Sequence, residues 1–239
     1  MNENYSILAQ YYDKFTHKDC DYVRWSQYLY NLATTHNARE LADIACGTGK
    51  MTKLLTERGL KLIGIDQSSE MLAQARTKCK AGFVQQDMRK LQLAHRVDAA
   101  ICVNDGVNYL TQHELELFFE RVSANIKSGA PFVFDVSSEY KLTQVVGNNV
   151  FYWDGETETL LWSNRVQGNS VEMSLTLFAD SGNGLYKRFD ERHVQYIHTR
   201  SDVEQALNKY GFDVVEVTAD YGMPLDDKSQ RITFYAVKR

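Results

Sequence analysis

A short glycine-rich segment that begins with an acidic residue is the first place where this chain could do chemistry. The segment Asp43-Ile-Ala-Cys-Gly-Thr-Gly49 joins an apolar, strand-like run to a helical pattern over Lys50–Arg58. Ligands of open α/β sheets bind at such junctions, where glycines let them approach the backbone. Asp66 ends the next apolar run, and a carboxylate there can accept hydrogen bonds from both hydroxyls of a ribose. Together these features predict a site for an adenosine-containing cofactor.

The residue types around the glycines indicate which cofactor fits. A nicotinamide or flavin fingerprint has a third glycine where this chain has Thr52, and it sets a pyrophosphate against the helix N-terminus. S-adenosylmethionine (SAM) has no phosphate, but its α-amino group and its sulfonium are cationic, which suits the acidic Asp43. The pattern therefore favours SAM over a dinucleotide, although an isolated Gly-x-Gly is also typical of a plain tight turn.

With these residues the sequence resembles the class I SAM-dependent methyltransferases, particularly small bacterial members whose N-terminus reads Tyr5-xxx-Ala9-xx-Tyr12-Asp13. The resemblance covers nearly the whole chain, with Ala45 in place of the commonest first glycine. It implies SAM as cofactor, S-adenosylhomocysteine as product, a helical lid over the methionine end, and an acidic residue that contacts adenine. The cofactor contacts it implies are Tyr12, Trp25, Asp43, Ala45, Cys46, Gly47, Thr48, Gly49, Asp66, Gln67, Met71, Asp87, Met88 and Asn104.

The elements that must position these residues alternate along the first half of the chain. Short apolar runs predict five strands buried under helices on both faces, the order expected of a parallel α/β sheet. Ser68 and a capping box of Thr111 with Glu114 mark helix starts, and Gly129 can end the second of these helices. The strand candidates are Leu41–Cys46, Lys61–Ile65, Gly82–Gln86, Asp98–Val103 and Pro131–Val136.

The pattern changes after about Leu142. Apolar and polar residues alternate strictly over Val171–Leu177, which predicts, with the flanking Phe151–Val166 and Leu185–Thr199, an antiparallel meander of roughly three strands. Ser201 with Glu204 can open a last helix, and Phe212–Ala219 and Arg231–Val237 predict two final strands.

Combined with the resemblance, these elements predict an α/β, Rossmann-like methyltransferase sheet. Its seven strands would take the order 3-2-1-4-5-7-6, with strand 7 antiparallel. Residues 1–141 and 200–239 would form the SAM-binding domain with its lid. Residues 142–199 would form an antiparallel β insertion between strand 5 and the last helix, and would cap the substrate.

Composition argues against several other classes of protein. The chain has 27 basic and 31 acidic residues, a net charge of -4, and no stripe of Lys and Arg, so nucleic acid is not an expected partner. The four cysteines form no Cys-x-x-Cys pair and predict reduced thiols, and no metal-ligand spacing is evident. Neither a leader peptide nor a membrane-spanning run is visible, so we expect a soluble, cytoplasmic protein without a bound metal.

Methyl transfer by in-line displacement needs an oriented acceptor more than it needs a nucleophile on the protein. His193 or Tyr109 could reach over the cofactor as a base or an orienting group, because a neutral imidazole can take a proton near physiological pH. The alternative is that His193 and His198, with Arg188 and Arg192, only solvate an exposed strand. Likewise, Asp87 could simply cap a helix.

The acceptor is predicted to be a small molecule. The segment after the fourth strand reads Asn104-Asp-Gly-Val107 and lacks the Asn-Pro-Pro-Tyr of amino-methylating DNA enzymes. Nitrogen is favoured, since a hydroxyl would need a stronger base or a metal. Two alternatives stay open: a nicotinamide-dependent oxidoreductase, against which Thr52 and the C-terminal hairpin argue, and a non-catalytic SAM-binding scaffold.

Overall fold

The computed structural model describes residues 8–16 and 20–239, in which the strands form two sheets. Across these two ranges, no helix is both long enough and apolar enough to cross a membrane. The helices are α1 (Tyr12–Thr16), α2 (Tyr22–Thr35), α3 (Lys50–Glu57), α4 (Ser69–Lys78), α5 (Gln112–Asn125) and α6 (Arg200–Lys209). The strands are β1 (Glu40–Ile44), β2 (Lys61–Asp66), β3 (Gly82–Gln85), β4 (Ala99–Cys102), β5 (Pro131–Ser137), β6 (Val150–Asp154), β7 (Glu158–Gln167), β8 (Ser170–Gly182), β9 (Leu185–Tyr196), β10 (Phe212–Ala219) and β11 (Arg231–Lys238).

The larger sheet has seven strands in the order β3-β2-β1-β4-β5-β11-β10. Strands β1 to β5 are mutually parallel, and β11 runs antiparallel to both β5 and β10. The predicted order and the antiparallel last strand are confirmed. Strands β4 and β5 are buried along their whole length because helices cover both faces, with Phe118 and Phe119 of α5 on one side and Trp25 and Leu29 of α2 on the other.

Side-chain caps fix where the helices begin. The Ser68 hydroxyl accepts a hydrogen bond from the Met71 amide, and both bonds of the Thr111–Glu114 capping box form, as predicted. The predicted cap at Ser201 is wrong. Thr199 caps α6 instead, since its hydroxyl accepts from the Asp202 amide at 3.1 Å and donates to the Asp202 carboxylate at 2.6 Å.

The smaller sheet is an antiparallel meander of four strands in the order β6-β7-β8-β9. The predicted count of roughly three is wrong, because Phe151–Val166 contains two strands. The chain reverses between them, where the Gly155 amide donates to the Glu158 carbonyl at 2.8 Å. Alternate residues of this sheet form a buried inner face, which includes Leu160 and Met173.

Candidate active site

The loop between β1 and α3 is tightly packed against its neighbours. Gly49 caps α3 with φ of 73°, and a Cβ on it would lie 2.8 Å from the Cβ of Ala75 in α4. Ala45 has φ of 55°, a left-handed conformation that costs about 1–2 kcal/mol for a residue with a side chain. A Cβ on Gly106 would lie 3.0 Å from the Cβ of Ala45. Because Gly106 has no side chain, there is room for alanine at position 45, where the family most often has glycine.

Asp66 is joined to the glycine-rich loop by hydrogen bonds. Its Oδ2 accepts from the Gly47 amide at 2.8 Å and its Oδ1 from the Ser68 amide at 2.9 Å. Burial raises the pKa of the Asp66 carboxyl, although these backbone donors oppose the shift. A carboxylate has about four lone-pair positions, so Asp66 can still accept from a further donor. The two features singled out in the sequence therefore form one unit, with a carboxylate able to accept a hydrogen bond from a ligand hydroxyl.

A cavity of about 100 Å³ opens beside this unit. Part of its lining was predicted from the sequence, and part was not. The predicted cofactor residues that line it are Tyr12, Ala45, Gly47, Asp66, Gln67, Met71, Met88 and Asn104. The others are Tyr109, predicted as catalytic, Ser68, predicted as a helix cap, and Tyr22, Gln86, Val103 and Gly106, which carry no distinctive signal of their own in the sequence.

Other predicted cofactor residues lie outside this lining. Trp25 is 1% exposed in the core, with its ring 4.9 Å from that of Tyr221, so it does not form part of a lid surface. Asp87 caps the 3-10 helix Met88–Lys90 and binds the Arg89 guanidinium, in agreement with the alternative prediction. Cys46, Thr48 and Gly49 lie in the loop without lining the cavity, and Tyr5 lies outside the described residues.

Asp43 is fully buried at the end of β1. Its Oδ2 accepts from the Thr52 hydroxyl, while its Oδ1 has no hydrogen-bond partner among the described residues. Burial raises the pKa of Asp43 to about 7, against the opposing effect of Thr52. A buried carboxylate oxygen without a donor is costly unless a ligand completes it. This orphaned oxygen below the glycine-rich loop fits a cofactor with a cationic group.

A second cavity, of about 390 Å³, lies between α1, the loop after β4 and the inner face of the smaller sheet. It shares Tyr12, Asn104 and Tyr109 with the first cavity. Helix α1 is tied down on both sides of this boundary. The Thr48 hydroxyl donates to Asp13 at 2.7 Å, and the Lys14 ammonium lies 2.8 Å from the buried Glu158 carboxylate of β7. Because Tyr12 of α1 lines both cavities, the two cavities adjoin each other at this helix.

A buried carboxylate organises the loop that separates the cavities. Asn104 and Asp105 are both left-handed, with φ of 63° and 53°, and both of their amides donate to the Asp135 carboxylate at 2.7 Å. Arg231 of β11 donates to Asp135 and, at 3.0 Å, to the Asn104 side chain, whose amide nitrogen in turn donates to the Tyr12 hydroxyl at 2.8 Å. Asp135 thus fixes the position of Asn104 at the boundary.

His193 faces the larger cavity from β9. The interpretation of β9 as a strand with a solvated polar face fits Arg188 and Arg192, which are exposed, but is wrong for His193, which is only 2% exposed. Its Nε2 lies 3.3 Å from the Glu191 carboxylate, and its ring meets the Tyr109 ring edge-on at 6.0 Å. Alternation along the strand places His193 on the inner face.

His198 is also buried, but its described contacts stabilise the fold and do not involve either cavity. Its Nε2 lies 3.0 Å from the Leu110 carbonyl, and its Nδ1 lies 3.3 Å from the Gln112 side chain. Burial lowers the pKa of His198, which favours the neutral imidazole in this position. His198 therefore joins the end of β9 to the start of α5, outside the residues that line either cavity.

Comparison with known proteins gives consistent results. Residues 41–129 match a family described as a methyltransferase domain. YqeM of Bacillus subtilis, named as a methyltransferase, is 30% identical, and the match covers 98% of this chain and 97% of YqeM. The crystal structure of a SAM-dependent methyltransferase from Clostridium acetobutylicum is 31% identical, with a TM-score of 0.89 and 98% of each chain covered. The dTDP-3-amino-3,4,6-trideoxy-alpha-D-glucopyranose N,N-dimethyltransferase of Streptomyces venezuelae is 26% identical over 75% of this chain and 78% of its own.

Proposed function

Because the chain belongs to the class I family of SAM-dependent methyltransferases, we propose that it transfers a methyl group from SAM to the nitrogen of a small-molecule amine. The observation that carries this proposal is the meeting of the two cavities at Tyr12, Asn104 and Tyr109. A cofactor in the smaller cavity and an acceptor in the larger one would be within reach of each other there. The N,N-dimethyltransferase name of the Streptomyces relative supports nitrogen as the acceptor atom.

The residues of the smaller cavity would divide the cofactor between them. Asp66 would accept hydrogen bonds from the ribose, and Met71 and Met88 would supply apolar surface beside it. Asp43 lies outside this lining, buried at the end of β1, and its charge would attract the cationic end from below the glycine-rich loop. When bound, SAM supplies a methyl group on a sulfonium; the amine lone pair forms the new N–C bond while the S–C electron pair returns to sulfur. Predicted contacts outside the lining, such as Asp87, would need a side-chain rearrangement to reach the cofactor.

Methylation of an amine leaves one proton to be removed from nitrogen. His193 would accept that proton, and the Glu191 carboxylate 3.3 Å from its Nε2 would stabilise the imidazolium. Tyr109, which lines both cavities, would orient the acceptor. These roles rest on the position of both side chains in the wall of the larger cavity.

Titration calorimetry of the wild-type protein with SAM, S-adenosylhomocysteine and NADH tests the proposal, followed by methyl uptake from labelled SAM by a panel of amines, acids and phenols. We expect both adenosyl ligands to bind, NADH not to bind, and amines to take up the label. Binding of NADH alone would support an oxidoreductase instead. Binding of SAM with no methyl uptake across the panel would support a scaffold.

The buried Asp43 predicts a pH dependence of SAM affinity. Since burial raises its pKa to about 7, Asp43 is neutral below that pH and charged above it. A cationic cofactor binds the carboxylate in preference to the neutral acid, so affinity should fall as the pH drops through about 7, by up to about tenfold per pH unit. Asp43→Asn should bind SAM more weakly than wild type above that pH and show a flatter profile in calorimetry. Parallel profiles for the two proteins would rule out this role.

We also propose a cytoplasmic location and a small-molecule partner. All four cysteines, Cys20, Cys46, Cys79 and Cys102, carry free thiols, which is typical of a reducing compartment. The net charge of -4 supports a partner other than nucleic acid.

A further inference from the structure

The inner face of the smaller sheet changes in character from one edge to the other. On β6 and β7 it presents Phe151, Trp153 and Trp162, and the rings of Phe151 and Trp162 lie 5.0 Å apart across the paired strands. On β9 the part of this face that lines the larger cavity consists of the polar side chains of His193 and Gln195. The wall of the larger cavity is therefore aromatic at one end and polar at the other.

The polar end is the one that adjoins the cofactor cavity. The Gln195 side chain donates to the Asp105 carboxylate at 3.0 Å, and the His193 ring contacts Tyr109, which lines both cavities. The reacting nitrogen of an acceptor must lie at this end, because only there is the methyl donor within reach. The rest of the acceptor then extends over the aromatic end on β6 and β7.

The cations in the described lining of this cavity are already engaged within the protein. Lys14 lies 2.8 Å from Glu158, Arg231 donates to Asp135, and the Lys141 ammonium donates to the Ser137 hydroxyl at 3.0 Å. Burial alone would raise the pKa of Asp105, but the charges of Lys141 and Arg231 hold it below its ordinary value. A diphosphate would have to compete with the Glu158 and Asp135 carboxylates for Lys14 and Arg231, so the described lining is poorly suited to a nucleotide-linked sugar.

From this distribution, and resting on the proposed methyl transfer, we propose that the acceptor is an amine carried on a flat, apolar body such as an aromatic ring. Its nitrogen lies beside Tyr109 and His193, and its ring stacks against Trp162 and Phe151. Aromatic pairs of this kind add binding free energy beyond the area they bury. The sugar named for the Streptomyces relative is a different class of acceptor.

Calorimetry of the protein saturated with S-adenosylhomocysteine tests this proposal with three probes: tryptamine, glucosamine and thymidine diphosphate. We expect tryptamine to bind more tightly than the other two. Trp162→Ala should weaken tryptamine binding by about tenfold, as expected for loss of an aromatic contact. Leu161→Ala is the matched control, since Leu161 precedes Trp162 on β7, lies on the outer face and is 39% exposed. The affinity of the Leu161→Ala protein for tryptamine should stay within about twofold of wild type.

A second variant, Phe151→Leu, guards against misfolding of Trp162→Ala, because Phe151 is 36% exposed at the edge strand and its loss disturbs less of the core. It too should weaken tryptamine binding. Tighter binding of glucosamine or thymidine diphosphate, or no tryptamine binding by the saturated protein, would overturn the proposed acceptor class. Failure of S-adenosylhomocysteine itself to bind would contradict the proposed function instead, so the two failures are distinguishable.

Discussion

Replacing Asp66 with alanine should weaken SAM binding by about 1.5–3 kcal/mol, because charge-assisted hydrogen bonds to the ribose hydroxyls would be lost. The size of the effect depends on geometry seen in the structure. The Gly47 and Ser68 amides, at 2.8 and 2.9 Å, hold the carboxylate in the lining of the smaller cavity. Titration calorimetry of the wild type and of Asp66→Ala, with SAM and S-adenosylhomocysteine, measures the difference.

The variant should remain folded. Burial raises the pKa of Asp66, so its charged form is not favoured by the folded state, and removing it costs mainly its hydrogen bonds to backbone amides. Circular dichroism melting of Asp66→Ala is the control for this. Asp66→Asn, which keeps one oxygen acceptor, should lose less affinity than Asp66→Ala. Unchanged SAM affinity in a folded Asp66→Ala protein would show that the ribose site has been assigned to the wrong residue.

Asp135→Ala should lower the free energy of unfolding by about 3–5 kcal/mol, since it leaves the buried Arg231 guanidinium without its main partner. Burial alone would lower the pKa of Arg231, and the charges of Asp135 and Asp105 outweigh that effect. The same substitution removes the acceptor for the Asn104 and Asp105 amides, which hold two left-handed residues in place. Chemical denaturation measures the loss, and thermal melting should show a drop of roughly 6–20 °C.

The matched control is Asp190→Ala on the outer face of β9. Asp190 also pairs with an arginine, Arg188, but both side chains are more than half exposed. Exposed pairs contribute about 0–1 kcal/mol, so this variant should melt close to the wild type. Equal losses of unfolding free energy in the two variants would mean that Asp135 does not hold Arg231 and the loop at Asn104 and Asp105 in the way its hydrogen bonds indicate.

The part of the fold that could be predicted is the part where one physical rule dominates. Strands β4 and β5 are buried on both faces, so they appear in the sequence as continuous apolar runs. Thr111 and Glu114 cap a helix using only residues next to each other in the chain. The glycine-rich loop and Asp66 were found because both follow predictable strands.

The rest of the site depends on contacts between distant residues. Asp135 appears in the sequence as a lone acid in an apolar strand, which signals a partner but does not identify it. That partner, Arg231, is 96 positions away along the chain. The family resemblance implies that Trp25 belongs to a lid, yet its contact with Tyr221 places it in the core. In the same way, the turn at Gly155 divides what looks like a single aromatic strand.

In the part of the chain that the structure describes, the smaller sheet contributes to the wall of only one of the two cavities, and this affects how the ligand specificity of such a protein can change. The smaller sheet lines much of the larger cavity but none of the smaller one within the described residues. Under the proposed assignment of the larger cavity to the acceptor, substitutions in the meander would change which molecule is accepted without altering the binding of the methyl donor. Tyr12, Asn104 and Tyr109 are different, because each lines both cavities, and a change at any of them would alter both at once.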